Sequence, residues 1–247
     1  MNTIDARQNA VRKLTDAMLA LGLLDNGPAN KALDLLAVGD AAEAATRNYE
    51  TLRRQEAKRI GQQLATKGFD DTRLLKAAAA LPNTDAVELI AFEIRADAVN
   101  AAHALTFARV SEVPAAITAG YDALREQAEA VDAALTNVRT PQAAIDAGKT
   151  AEWQALADVK ATFSRLADWV EQFRVAGLIP APGPGNRGLH WNYRQPHDPD
   201  RFHQAVALKD RDGGRAMVLL SLQSEPYVPT SRHEAIQTAQ SWTEVAA

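Results

Sequence analysis

The sequence predicts a mainly α protein. It reads as an Ala-rich antiparallel helical bundle with heptad-patterned helices, then a small C-terminal antiparallel β unit and a short terminal helix. Three observations predict this. Apolar residues recur at three- and four-residue steps from Ile4 to Phe173. Small side chains dominate, with runs such as Ala77-Ala78-Ala79-Ala80, while aromatic residues make up only 6%. After Gly177 a Pro/Gly-rich segment intervenes and the pattern changes to alternation. The expected organisation is a helical body over 1–178, a linker over 179–188 and a β-hairpin-containing unit over 189–247.

Each element has its own signals. Thr3 can cap a first helix with Ile4, Val11, Leu14, Met18 and Leu21 on one face, and Gly22 suits its end. Asn26-Gly27-Pro28 opens a short helix, with Pro28 tolerated in its first turn, and Gly39 is expected to close it. Asp40 and Glu43 have capping-box spacing for a separate helix to about Lys67, with Gly68 as its stop. A short helix over 71–81 stops at Pro82. The segment from Asp85 to about Ser111 is expected to bury Val87, Ile90, Ile94, Ala98, Ala101 and Leu105, leaving His103 exposed on the opposite side. Pro114 breaks or kinks the chain, because it lacks an N–H and clashes with the preceding turn.

Two seams follow. Ile117, Tyr121, Leu124, Ala128, Val131, Leu135 and Val138 alternate steps of four and three, as one long helix. Thr140-Pro141 starts a connection, and Leu156, Val159, Phe163, Leu166, Val170 and Phe173 repeat the rhythm up to Gly177. Seams of similar length joined by a short segment point to an antiparallel pair with an internal core. Pairing of a seam with another chain is the alternative. Trp153 and Trp169 lie off the strict second seam and widen its apolar face.

In the tail, Leu189, Trp191 and Tyr193 alternate with polar residues as a strand would. Residues 203–209 and 215–223 read as two further strands around Asp210-Arg-Asp-Gly-Gly214, a hairpin-turn composition. Ser231 and Glu234 open a last helix running to about Trp242.

Composition excludes several function classes. With 27 basic against 31 acidic side chains, the net charge of −4 argues against a dedicated nucleic-acid binder. No Cys means no disulfide, no thiol nucleophile and no Cys-ligated zinc. No apolar run reaches membrane-span length, and charges from Asp5 to Asp16 interrupt the region where a signal peptide would be apolar. The expected location is the cytoplasm, or a particle assembled there.

The chemical motifs are weak. Gly183-Pro-Gly185-Asn-Arg-Gly188 matches G-x-G-x-x-G, but a helix precedes it and a strand follows, the reverse of a dinucleotide site. His233-Glu234-Ala-Ile-Gln237 lacks the second His of a zinc helix. Asp210 and Asp212 begin like a calcium loop without its remaining ligands. His190, His197, Asp198, Asp200 and His203 form the one cluster that could bind a metal or exchange protons, although their spacing matches no defined site. Arg47, Arg54 and Lys58 share a helix face near Arg53 and Arg59; Glu50, four residues before Arg54, marks it as a solvated, ion-paired face.

These observations lead to a non-enzymatic structural or assembly protein with protein partners, as a homo-oligomer or within a larger assembly, without cofactor or metal. A helical body with an extended β-bearing tail resembles, in layout, small connector or accessory proteins of phage particles. Trp191, Tyr193, Tyr227 and Trp242 are the interface candidates, since Trp and Tyr are enriched at binding hot spots. A metal-dependent enzyme built on the 190–203 cluster and a helical adaptor are the alternatives.

Overall fold

The structure, a computed structural model, describes residues 3–67, 84–180, 193–195, 199–208 and 214–245, with Thr72, Leu75, Lys76, Ala79 and Asp212 as single positions. Within these residues the protein is mainly helical. The helices are α1 (Thr3–Ala20), α2 (Asn26–Lys67), α3 (Thr84–Thr106), α4 (Val113–Ala134), α5 (Pro141–Asp146), α6 (Thr150–Val175), α7 (Pro199–Leu208), α8 (Arg215–Gln223) and α9 (Arg232–Val245). A 3-10 turn, Val110–Glu112, precedes α4. The chain forms two compact units. One comprises residues up to Thr15 and Leu24–Ala108; the other comprises Asp16–Leu23 and Arg109 onward.

The helix stops lie where backbone chemistry puts them. Gly22, Gly148 and Gly177 all take positive φ, at 67°, 67° and 71°. Each closes a helix with paired reverse hydrogen bonds that satisfy the last carbonyls, as in Gly22 N–H to Leu19 O (3.0 Å) and Leu23 N–H to Met18 O (2.9 Å). Pro114 sits in the first turn of α4, where its missing N–H costs no helical bond. Thr140 caps α5, its hydroxyl accepting from the Ala143 N–H at 3.1 Å. Ser231 caps α9 by accepting from the Glu234 N–H at 3.1 Å, while Glu234 reaches back to Thr230.

In the first unit the expected break at Gly39 is absent. α2 runs unbroken for 42 residues. Gly39 serves close packing instead: a Cβ there would lie 3.4 Å from Arg95 Cγ and 3.9 Å from Ala98 Cβ. Asp40 and Glu43 are correspondingly not a cap. Asp40 accepts from Gln8 Nε2 at 2.8 Å and pairs with Arg12, and Glu43 lies 3.6 Å from Arg95 Nε. Gly39 meets Ala98 and Glu43 meets Arg95, so α2 and α3 run antiparallel. Ala32, Leu36, Ala98, Val99 and Ala102 are buried here.

In the second unit α4 pairs with α6. Gly120 meets Leu166, Tyr121 meets Phe163 with ring centroids 5.8 Å apart, and Leu135 clusters with Leu156. Partner numbers fall as α4 advances, so these two helices are also antiparallel. Both seams are largely internal: Ile117, Tyr121, Leu124, Ala128, Leu156, Val159, Leu166, Val170 and Phe173 are buried. Three details differ from the sequence expectation. α4 stops at Ala134, and Leu135 and Val138 are buried from the following turn, where Asn137 has φ 66°. Val131 and Phe163 are only half-buried.

The C-terminal β unit is not what forms. Of the residues expected as strands at 203–209 and 215–223, those at 203–208 and 215–223 lie in α7 and α8, and no strand occurs among the described residues. A short, nearly all-apolar run such as Met217-Val-Leu-Leu220 carries no periodicity that separates a strand from a buried helix. Val218, Leu220, Ser221 and Leu222 are buried together, covering more than one face of α8. The Asp/Gly-rich segment read as a hairpin turn starts this helix. Asp212 accepts from the N–H groups of Gly214 (2.9 Å) and Ala216 (3.0 Å), and Gly214 has φ 81°. What remains of β pairing is one antiparallel bridge between Tyr193 and Pro226.

Arg215 locks α8 to the end of α4. Its Nη1 donates to the carbonyls of Leu135 (3.0 Å) and Val138 (3.1 Å), its Nη2 to that of Asp132 (2.9 Å), and Nε to the Asp132 carboxylate (2.6 Å). The side chain, 13% exposed, thus supplies charged donors to a carbonyl in the last turn of α4 and to two in the turn that follows it. Arg215→Ala is expected to destabilise the protein by roughly 2–3 kcal/mol, since several acceptors lose a charged donor. Arg215→Lys should recover less than half of that, because an ammonium lacks the planar fork. Urea unfolding of the three proteins measures both.

Candidate interaction surface

The aromatic residues proposed for contact with partners fall in different settings. Tyr227 is buried within its own unit. Arg194 lies over its ring at 4.9 Å, and its hydroxyl bonds to Thr238 Oγ1. Burial raises its pKa above the usual phenol value. It belongs to the buried run Pro226-Tyr-Val-Pro229, where two of four residues have no N–H to satisfy, and the Val228 N–H donates to Thr118 Oγ1 at 3.1 Å. Tyr193 is half-buried, its pKa likewise raised by burial and partly offset by a hydrogen bond with Ser221. Trp242 lies within α9. Trp191 lies outside the described residues.

Of the His/Asp cluster, Asp200 and His203 stand one turn apart and exposed on α7. His190, His197 and Asp198 lie outside the described residues, as do the G-x-G-x-x-G segment and its linker from residue 181. Among the described residues no group of three or more His, Asp or Glu side chains is placed to hold a metal. No described helix is long and apolar enough to cross a membrane.

A different surface stands out, on the paired α2 and α3. Arg95 marks where it begins. Its guanidinium donates to Asp5 Oδ1 and Gln8 Oε1, both at 2.7 Å, so α1 is tied to α3 at this level. Arg7 also reaches Asn100, further along α3. From Arg95 toward the start of α3 the cover ends. No residue over 41–63 of α2 or 85–97 of α3 is buried. We refer to these two stretches as the arm. Its large apolar side chains face water: Leu52 is 64% exposed, Leu89 61%, Ile90 61%, Phe92 47% and Ile94 43%.

The sequence expected Ile90 and Ile94 in a core, and there the structure differs. The stripe Leu89, Phe92, Ala96, Val99 shows the reason in one helix. All four have helical spacing, but Val99 is completely buried near α1 whereas Leu89 and Phe92 are bare. Sequence periodicity marks a face that some element must cover; it does not say that the cover comes from the same chain. Ala101 is exposed as well.

The polar side of the arm behaves as its charge spacing indicated. Arg47 lies 3.6 Å from Glu43, Arg54 lies 3.7 Å from Glu50, and Arg59 donates to Glu56 from Nε at 2.8 Å. The Arg59 bond holds the Glu56 carboxyl below the usual range. No family model matches the chain, and neither the curated proteins nor the solved structures contain a match.

His103, expected to be exposed, is half-buried with its ring 4.8 Å from that of Phe107. Burial lowers its pKa, and the positive charge of Arg7 lowers it further. The unfolded chain therefore binds the proton more readily, between the depressed folded value and the free value near 6.5. Stability is expected to fall as pH drops through that window and to level off below it. Urea midpoints between pH 7.5 and 5.5 should show the loss, and His103→Gln should flatten it.

Proposed function

We propose that this protein is a non-enzymatic assembly component that works through protein–protein contacts as an oligomer. The observation that carries the reading is the arm: two paired helical stretches without a buried residue and with five large apolar side chains toward water. Large apolar side chains left exposed along one helical pair mark a surface used in contact. The antiparallel, heptad-patterned bundle inferred from the sequence fits the same role, since bundles supply rigid surfaces for assembly. The likeness to phage connector or accessory proteins rested partly on a β-bearing tail. Helices stand in that place, so the proposal retains the assembly role without the particle.

Sedimentation equilibrium of the full-length protein is the direct test. The expected mass is at least twice that of the 26.7 kDa chain. A mass of one chain from micromolar to about 100 μM, well above typical dissociation constants of specific complexes, would overturn the reading.

A further inference from the structure

We propose that the occupant of the exposed arm is the arm of a second copy of this chain, in a two-fold pairing that sets α2 of each copy against α3 of the other. This rests on the assembly reading above and assigns it a surface. The first argument is charge. Residues 41–63 of α2 carry five basic and three acidic side chains, whereas residues 85–97 of α3 carry one basic and four acidic. The arm therefore has a positive helix beside a negative one. A two-fold interface presents the same patch twice, so the patch must complement itself. A patch with one sign would repel its copy. This one meets opposite charge on both helices when the two-fold axis runs along the arm, so that both arms point the same way and α2 of each faces α3 of the other.

The second argument is the apolar content. Leu89 and Phe92 extend a stripe whose other end, at Val99, is already sealed, and Ile90 and Ile94, one turn apart, form a separate exposed ridge on another side of α3. A second helical pair laid along them completes a four-helix cross-section, the smallest arrangement that gives each helix two neighbours. Size is adequate. Residues 41–63 and 85–97 offer 36 positions, about half of which can face a partner. A stable interface uses roughly 20–30 residues a side. The apolar side chains supply the affinity, and the exposed charges set orientation, as rim charges do.

The experiment measures the mass of full-length variants in solution. Ile90→Glu, at a position already facing water, is expected to weaken self-association by at least thirtyfold, as loss of a central anchor does, with helix content unchanged by circular dichroism. Two charge-reversed proteins give an independent arm. One carries Glu88→Lys with Glu93→Lys on α3; the other carries Arg54→Glu with Lys58→Glu on α2. Each alone sets like charge against like and should lose the dimer, and mixing the two should restore it. Damage within one chain would not be repaired by mixing. If the unmodified protein is oligomeric and all these variants remain so, the arm pairing is wrong while the assembly reading survives. If single variants dissociate and the mixture does not reassociate, the α2-to-α3 pairing is wrong. A monomeric unmodified protein overturns both readings.

Discussion

Close approach of two helices at a missing side chain organises the first unit. Gly39 lies in the interior of α2, about a third of the way along, where glycine costs about 1 kcal/mol against alanine in helix propensity. The compensation is distance. With no Cβ at 39, α3 can bring Arg95 and Ala98 against the α2 backbone, and the buried alanines at 32, 98 and 102 continue the tight seam. Arg95 is held at that crossing, and from it the guanidinium reaches Asp5, Gln8 and Glu43 on the two other helices. The buried part of the unit ends at this residue. Everything beyond it depends on what the two helices can do without further cover.

Local interactions go far toward keeping those stretches helical. α2 beyond Asp40 is built from Ala, Arg, Glu and Gln, which lose little entropy in a helix. The pairs Glu43–Arg47, Glu50–Arg54 and Glu56–Arg59 each support the helix across one turn. In all three the acid precedes the base, the orientation that also suits the helix dipole. Such terms maintain a helix; they do not hide Leu52, Leu89 or Ile90. Residues that a helix does not need for its own formation, and that cost solubility where they stand, are best explained by a contact.

Much of the fold was legible in the sequence because it rests on short-range chemistry. Gly22 and Gly177 stop helices, Pro114 lies at the start of one, and the Ser231 hydroxyl accepts in a cap, each acting through its nearest neighbours; Thr140 and Pro141, read only as the start of a connection, open a short helix of their own. The two long seams were legible too, since six or seven apolar residues at heptad spacing leave little ambiguity. The errors lie where a local sign serves two purposes. Gly39 can end a helix or admit a neighbour, and only the presence of α3 decides. Asp212 with Gly214 can turn a hairpin or start a helix, and burial of Val218, Leu220 and Leu222 decides. The arm was illegible for a related reason. Periodicity followed Val87, Ile90, Ile94, Ala98, Ala101 and Leu105, of which only Ala98 is buried, and so assigned to a core a face that the described residues do not cover.

The distribution of charge over the arm distinguishes a specific contact from mere stickiness. A bare apolar stripe alone would bind any similar stripe, and soluble proteins avoid this with flanking charges. Mixed charges scattered over both helices would serve solubility equally well. Here the signs are instead separated by helix, basic on α2 and acidic on α3. Within one chain the separation has an evident benefit, because Glu43 and Arg95 show the two helices already exchanging charge where they cross. Farther out the same separation admits a second arm laid in the same direction about a two-fold axis along the helices, and opposes the reversed one, in which basic α2 would lie against basic α2. Exposed ion pairs contribute little to affinity, so their value here is selective. They reject the wrong alignment, and the apolar stripe holds the right one.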